Sequence, residues 1–354
     1  LRFANKRGGF TRPLTVNMTL TGATMPRDDS HLPKALQGLR LPMIASPLFI
    51  ISVPKLVIAQ CKAGIVGAFP ALNAREAEGE HPLLDTWLTE IREELDRHNQ
   101  SNPDHPAAPY AVNQIVHRSN GRLERDLEIC AKHEVPIWIT SLGARTEVNE
   151  AAHSCGGIVL HDIINNTFAR KAIEKGADGL VAVAAGAGGH AGQQSPFALM
   201  REIREWFDGP VALSGSIATG EALLAARAAG ADLGYTGSPF IATDEANADD
   251  AYKQMIVSGG AEDIVYSSLF TGVWGNYLKD SVRNAGMDPD NLPTADASSM
   301  NFGQDREKPK AWKTIWGSGQ GIGAVKSVGP AGDIVDRMAR EYLAAGRKLA
   351  AEFS

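Results

Sequence analysis

One histidine stands in a run of glycines, Ala184-Ala185-Gly186-Ala187-Gly188-Gly189-His190-Ala191-Gly192. Glycine lets backbone approach a bound group where any Cβ would intrude, and imidazole titrates near neutral pH. Together they describe a backbone cradle with a single acid/base group, suited to taking a proton from a substrate beside a cofactor. A glycine-rich turn carrying a solvated histidine has the same letters, so the surroundings must decide.

Two further loops combine glycine with hydroxyls: Ser214-Gly215-Ser216-Ile217-Ala218-Thr219-Gly220 and Tyr235-Thr236-Gly237-Ser238-Pro239. Each precedes a helical pattern. Backbone N–H groups at such a turn, with Ser or Thr hydroxyls beside them, bind an anion without needing lysine. Either loop alone reads equally as an ordinary turn with an N-cap serine; the pair favours a phosphate. His161-Asp162 is read as a contact to substrate or cofactor edge, or as a helix cap with an incidental histidine. His117 is a further pocket candidate, and Trp274, Tyr277 and Lys279 are read as lid residues. The other histidines form no metal-ligand grouping, and the chain has no G-x-S-x-G nucleophile elbow.

The elements that must hold these residues follow from hydrophobic patterning. Short apolar runs at Pro42–Ser46, Gly64–Ala68, Tyr110–Ile115, Pro136–Thr140, Gly157–Leu160, Gly179–Val183, Val211–Ser214 and Leu233–Thr236 read as buried strands. Helical patterns alternate with them, at Leu83–Arg97, Arg122–His133, Asn165–Lys175, Pro196–Trp206 and Gly220–Ala229. About eight βα units predict an α/β fold, a (β/α)8 TIM barrel, with an open doubly wound sheet as the alternative. In a barrel the loops after the strands carry the site, and those after the seventh and eighth often hold phosphate. The glycine-hydroxyl loops fall there.

Residues 243–313 break the pattern and are expected to form a helical substrate or lid subdomain inserted after the eighth strand, with helices over Asp249–Ser258 and Asn276–Ala285 and a polar, turn-rich section over Met287–Lys310. The expected barrel comprises residues 36–242 and 314–354. A final helix, Asp333–Glu352, offers Ile334, Val335, Met338, Tyr342, Leu343 and Leu349 to the core. Residues 1–35 are expected to be an arm or leader, with Met25 near the natural start.

Composition narrows the function classes. The net charge of −6, from 35 Lys+Arg against 41 Asp+Glu, argues against a nucleic-acid or anionic membrane surface. Three cysteines without a CxxC pair suit a reduced, cytoplasmic setting. No uninterrupted apolar run reaches the roughly 18 residues of a membrane span; the nearest, Leu41–Ile58, is broken by prolines.

At this point the residues resemble the nitronate monooxygenases, formerly 2-nitropropane dioxygenases, from roughly Leu36 onward. Ala187-Gly188-Gly189-His190-Ala191-Gly192 is similar to that family's Ala-Gly-Gly-His-x-Gly. Ser214-Gly215-Ser216 and Thr236-Gly237-Ser238 fall where the family has Ser/Ala-Gly-Gly and Met-Gly-Thr, and Gly319-Gln320-Gly321-Ile322-Gly323 resembles its late Gly-Gln-Gly segment. The resemblance implies an FMN-dependent barrel with His190 as base. Gly188 and Gly189 would lie close to the flavin. Ser214, Gly215, Ser216, Gly237 and Ser238 would hold the phosphate, with Tyr235 and Thr236 along the same edge. Asn113 would contact the isoalloxazine, Pro47 and Leu48 would sit beside its ring, and Gln320 and Gly321 would face the same pocket.

The chain departs from the family at Gly186 (commonly Glu), Val183 (often Gln), Ser216 (Gly) and Leu48 (Met). These changes bear on substrate more than on flavin, since backbone donors do most of the holding. The activity implied is oxidation of alkyl nitronates with O2, on a small-molecule substrate, with neither nucleic acid nor membrane as partner and a homodimer left open. An NAD(P)H-dependent enoyl-thioester or quinone reductase on the same scaffold is the alternative. A non-flavin phosphosugar isomerase or synthase is disfavoured, because the strand ends lack its usual lysine or carboxylate.

Overall fold

The computed structural model describes residues 28–75, 82–295 and 314–353. Residues 1–27 of the expected arm or leader, with Met25, and residues 296–310 of the expected polar section lie outside the described residues. The barrel strands are β1 (Met43–Ala45), β2 (Gly67–Pro70), β3 (Tyr110–Ile115), β4 (Ile137–Ser141), β5 (Ile158–Ile163), β6 (Gly179–Val183), β8 (Val211–Ser214) and β9 (Leu233–Thr236). A two-residue strand, β7 (Gly189–His190), lies between β6 and β8 in the chain and outside the barrel.

The eight barrel strands are parallel and ordered β1-β9-β8-β6-β5-β4-β3-β2. A bridge between Ile44 and Val66 joins the two ends. Ala45 N–H donates to Val66 O at 2.8 Å and Val66 N–H to Met43 O at 3.2 Å. The predicted (β/α)8 barrel is therefore what the chain forms.

Helices α1 (Pro54–Lys62), α2 (Leu83–Ser101), α3 (Leu123–Lys132), α4 (Thr146–Ser154), α5 (Asn166–Glu174), α6 (Pro196–Arg204), α7 (Gly220–Ala228) and α8 (Ser238–Ile241) follow the strands. Strands covered on both faces read as unbroken apolar runs. On β4, Trp138 packs outward while Ile137 and Ile139 join the barrel interior; on β6, Leu180 and Ala182 pack outward and Val181 and Val183 inward. Leu32, Leu36 and Leu39 belong to that interior cluster. Two helix starts are fixed by side chains: Asn165 accepts from Phe168 N–H at 3.0 Å and Thr219 from Ala222 N–H at 3.2 Å, contacts typically worth about 1 kcal/mol each.

The pleat has a consequence for function. Successive inward positions are two residues apart, so the inward rows Ala111, Ile139, Leu160, Ala212 and Leu233 continue at the C-terminal mouth as Asn113, Ser141, Asp162, Ser214 and Tyr235. The apolar interior thus ends in a polar ring.

The stretch after α8 is not all helical. It contains α9 (Asp250–Ser258), β10 (Ile264–Ser267), β11 (Gly275–Leu278) and α10 (Lys279–Asn284). The helix expected over Asn276–Ala285 begins at Lys279, because Gly275–Leu278 pairs antiparallel with β10 and with β7; tertiary pairing overrides local helical pattern. The last helix, α11 (Ala331–Glu352), buries Val335 and Met338 as expected, whereas Leu349 near its C-terminal end is exposed. Among the described residues no helix is long and apolar enough to cross a membrane.

Candidate active site

A cavity of about 1110 Å³ opens at the C-terminal mouth of the barrel. Pro47, Leu48 and Asn113 line it, as do Gly188, Gly189 and His190. So do Ser214, Gly215 and Ser216, then Tyr235, Gly237 and Ser238, and finally Gly321. Two candidates are not among its lining. Thr236 is buried beside it, and Gln320 is an exposed residue whose backbone N–H is donated to Gly186 O at 3.0 Å.

His190 is held by a strand rather than a free loop. Gly275 is its register partner on β11, and its Nε2 lies 2.9 Å from Thr271 Oγ1. Burial pushes its pKa down to about 4, so the ring is neutral at pH 7.

The glycine loops interlock. A Cβ on Gly188 would lie 2.7 Å from the backbone nitrogen of Gly319, and one on Gly215 would lie 2.7 Å from Ala185 O; neither partner can move aside cheaply. Ser216, with φ 57°, occupies the left-handed region that favours glycine. Its N–H reaches Gly186 O at 3.3 Å. Ser238 Oγ accepts from Gly319 N–H at 2.9 Å and from Ser318 Oγ at 3.2 Å, which leaves its own proton for a ligand. The start of α7 is already engaged, since Gly220 N–H is donated to Glu341 Oε2 at 2.8 Å. An anion is therefore left to the 215–216 and 237–238 turns.

The polar ring supplies a second set of contacts, which pattern reading left open or missed. Asn113 Nδ2 donates to Ser141 Oγ at 2.8 Å, and Ser141 Oγ donates to Asp162 Oδ2 at 2.5 Å. Asp162 Oδ1 and the Tyr235 hydroxyl are buried with no hydrogen-bond partner. Burial drives the Asp162 pKa up to about 7, opposed by the Ser141 hydrogen bond. Burial also raises Tyr235, and the Asp162 charge adds to the rise. Asp162 does not cap α5; Asn165 does. His161 lines the cavity with Nδ1 2.6 Å from the Thr140 hydroxyl, and burial lowers its pKa to about 4. The period-two continuation of β4 and β5 was the signal for Ser141 and Asp162.

Of the remaining candidates, His117 bonds locally to Ser119 at 2.8 Å and does not line the cavity. Trp274 lines it; Tyr277 is fully buried away from it, and Lys279 lies 3.6 Å from Asp290. Sequence reasoning also missed Thr271 and Tyr266, brought in by the strand pairing of the insertion. Among the described residues no group of His, Cys, Asp or Glu is arranged to hold a metal ion.

The cavity thus offers a backbone bed at 186–189, two hydroxyl-bearing turns for an anion, a polar edge at Asn113, Ser141 and Asp162, and the neutral imidazoles of His190 and His161. Orphaned buried polar atoms and a cradle closed to any Cβ suit a flat, polar-edged ligand with an anionic tail, which is the shape of a flavin nucleotide. Comparison with known proteins agrees. A nitronate monooxygenase of Paraburkholderia phytofirmans is 23% identical over 350 residues, covering 86% of this chain and 93% of that one. A (3aS,4S,5R,7aS)-5-hydroxy-7a-methyl-1-oxo-octahydro-1H-indene-4-carboxyl-CoA dehydrogenase of Rhodococcus jostii is 24% identical over 250 residues, 71% of this chain and 66% of that relative. FabK from Thermotoga maritima shares the fold, with a TM-score of 0.69 at 21% identity over 90% of this chain and 97% of that one. With the model of the nitronate monooxygenase family matching residues 31–341, the barrel, its mouth and its glycine loops included, this chain belongs to that family of flavin-dependent oxidoreductases.

Proposed function

We propose that the protein oxidises alkyl nitronates and their parent nitroalkanes with O2, using FMN and His190 as base. The observation that carries this reading is the neutral imidazole of His190, held by a strand beside the glycine backbone of the cavity lining. Asn113, Ser141 and Asp162 would hold the polar edge of the isoalloxazine, Pro47 and Leu48 would flank its ring, and the turns at 215–216 and 237–238 would take the phosphate. Bound FMN supplies an electron-accepting ring and passes electrons on to O2.

Thr271 Oγ1 lies 2.9 Å from His190 Nε2 and 3.1 Å from Val273 O; in the tautomer that donates from Nε2, His190 would take the proton on Nδ1. Burial keeps the ring unprotonated but also makes it a weak base. Taking the α-proton of a nitroalkane creates a nitronate anion beside the new imidazolium, and that opposite charge restores the lost basicity. A lid role for residues 243–313 is supported by Tyr266, Val273 and Trp274 of its described part, which line the cavity.

A second reading is an NAD(P)H-dependent enoyl-thioester or quinone reductase. It is favoured by the cavity volume of about 1110 Å³, above the roughly 300–1,000 Å³ typical of one drug-sized ligand, and by the thioester named for the Rhodococcus relative. A visible spectrum and chromatography of the released cofactor test FMN directly. Anaerobic flavin reduction by alkyl nitronate but not by NADH supports the first reading; the converse supports the second. His190→Asn should stay yellow yet lose about 10²–10⁴-fold in turnover of neutral nitroalkanes, with a smaller loss on preformed nitronate. Unchanged turnover refutes the base.

A further inference from the structure

Helix α5 turns only a thin side toward the core, Ala169 and Ala172. Phe168 on the same helix is 50% exposed, and Ile164, just before it, is 40% exposed. Phe168 and Lys171 lie three apart on one face of α5, Ile164 lies just before its N-cap, and all three line the cavity. The stripe starts at the reactive end: a Cβ on Gly192, two residues beyond His190, would lie 3.1 Å from Ile164 Cβ.

Trp274, 41% exposed, lines the cavity directly before β11, the strand that pairs with His190. Its carbonyl accepts from Ala191 N–H at 3.1 Å. Its ring stacks on Tyr266 at 5.0 Å, and the Tyr266 hydroxyl donates to Ala191 O at 2.8 Å. Six large hydrophobic side chains are exposed among the described residues, and three of them, Ile164, Phe168 and Trp274, line this one cavity. Exposed apolar surface continuous with a site marks where a ligand lies. The stripe ends at Lys171, the one Lys or Arg among the cavity's lining residues, which has no carboxylate partner among the described residues. The helical rise from Asn166 at the start of α5 to Lys171 is about 7–8 Å.

We infer that the groove along α5 selects substrates with an extended apolar body ending in an anionic group, the reacting carbon at His190 and the charge at Lys171. The assignment rests on the flavin and His190 reading above and names the substrate class for that site. A short nitroalkane would leave Ile164, Phe168 and Trp274 in water; an extended alkyl chain covers them and places its anion at Lys171, the only Lys or Arg lining the cavity among the described residues.

Isothermal titration of the protein as purified with acetate, octanoate and octan-1-ol tests the groove, with flavin absorbance followed in parallel. Octanoate should bind at least about tenfold more tightly than acetate, from the apolar area covered. Lys171→Gln should weaken octanoate by about three- to fivefold and leave octan-1-ol unchanged. Phe168→Ser should weaken both by about fivefold. Both side chains are exposed, and wild-type melting temperatures would confirm that neither change touches the core. Octanoate binding no tighter than acetate, or variants that keep wild-type affinities, would overturn the inference. A protein that carries no flavin and takes none up would sink the proposed function instead, while the calorimetric comparison still reads the groove.

Discussion

Asp162 shows how placement sets the behaviour of one ionisable group. Its proton leaves the unfolded chain near pH 3.8 and the folded chain near about 7. Between those values the folded state binds more protons, so its contribution to stability is present below pH 3.8 and is lost as the pH rises toward 7. His190 and His161, lowered by burial from 6.5 to about 4, act oppositely, adding stability as the pH rises through that interval. Asp162→Asn removes only the first effect. Relative to wild type, the flavin-free variant should gain stability steadily from about pH 4 to pH 7 and then hold. The slope is at most about 1.4 kcal/mol per pH unit and is reduced because the carboxyl faces a cavity that admits water. Paired melting curves from pH 4 to 8 check this, and a difference independent of pH would mean that the carboxyl is ionised throughout. At this scale the sequence was half legible: His190 stood out by its neighbours, whereas Asp162 could be placed on the inner wall only once the pleat of β5 was known.

The turns that connect the elements hold stored strain. Ser216 has φ 57° directly after Gly215 at φ 138°, and its Oγ would lie 2.3 Å from a Cβ on Gly186. A side chain in the left-handed region costs about 1–2 kcal/mol, so Ser216→Gly should raise stability in urea by about 1 kcal/mol. If the hydroxyl also contributes to phosphate binding, the same variant should release flavin more readily, and dialysis against buffer followed by absorbance would measure it. Unaltered stability would show the strain already relieved by the Gly186 contact. The eight barrel strands could be read in advance because burial on both faces demands continuous apolar runs. One of them, expected at Gly64–Ala68, slides to Gly67–Pro70 because Gly64, at φ 90°, ends the turn after α1. Strands β7, β10 and β11 could not be read: two to four residues carry no usable period, and the β7–β11 pairing joins Gly189–His190 to Gly275–Asn276 across a long stretch of chain. That pairing fixes His190.

Across the whole molecule, the last helix closes on the turn that the first reading assigned to phosphate. Helix α11 packs on α7 so tightly that a Cβ on Gly220 would lie 2.2 Å from both Met338 O and Tyr342 N, main-chain atoms that cannot swing away. Glu341 accepts from Gly220 N–H at 2.8 Å and pairs with Arg337 at 2.8 Å, while Arg337 Nη2 donates to Ala218 O at 3.0 Å. The C-terminus thus holds residues 218–220, immediately after Ser214-Gly215-Ser216. Forcing one methyl into such a contact typically costs about 1–3 kcal/mol, and here the displacement is transmitted into the anion-binding turn. Gly220→Ala should therefore lower the melting temperature and flavin retention together. Glu341→Gln, which keeps an oxygen for the Gly220 N–H and loses only a half-exposed ion pair worth about 0–1 kcal/mol, should change both little. Gly220→Ala with wild-type melting and flavin retention would mean that α11 is packed against the barrel without holding its mouth, and that the turn at 214–216 is shaped by β8 and Gly186 alone.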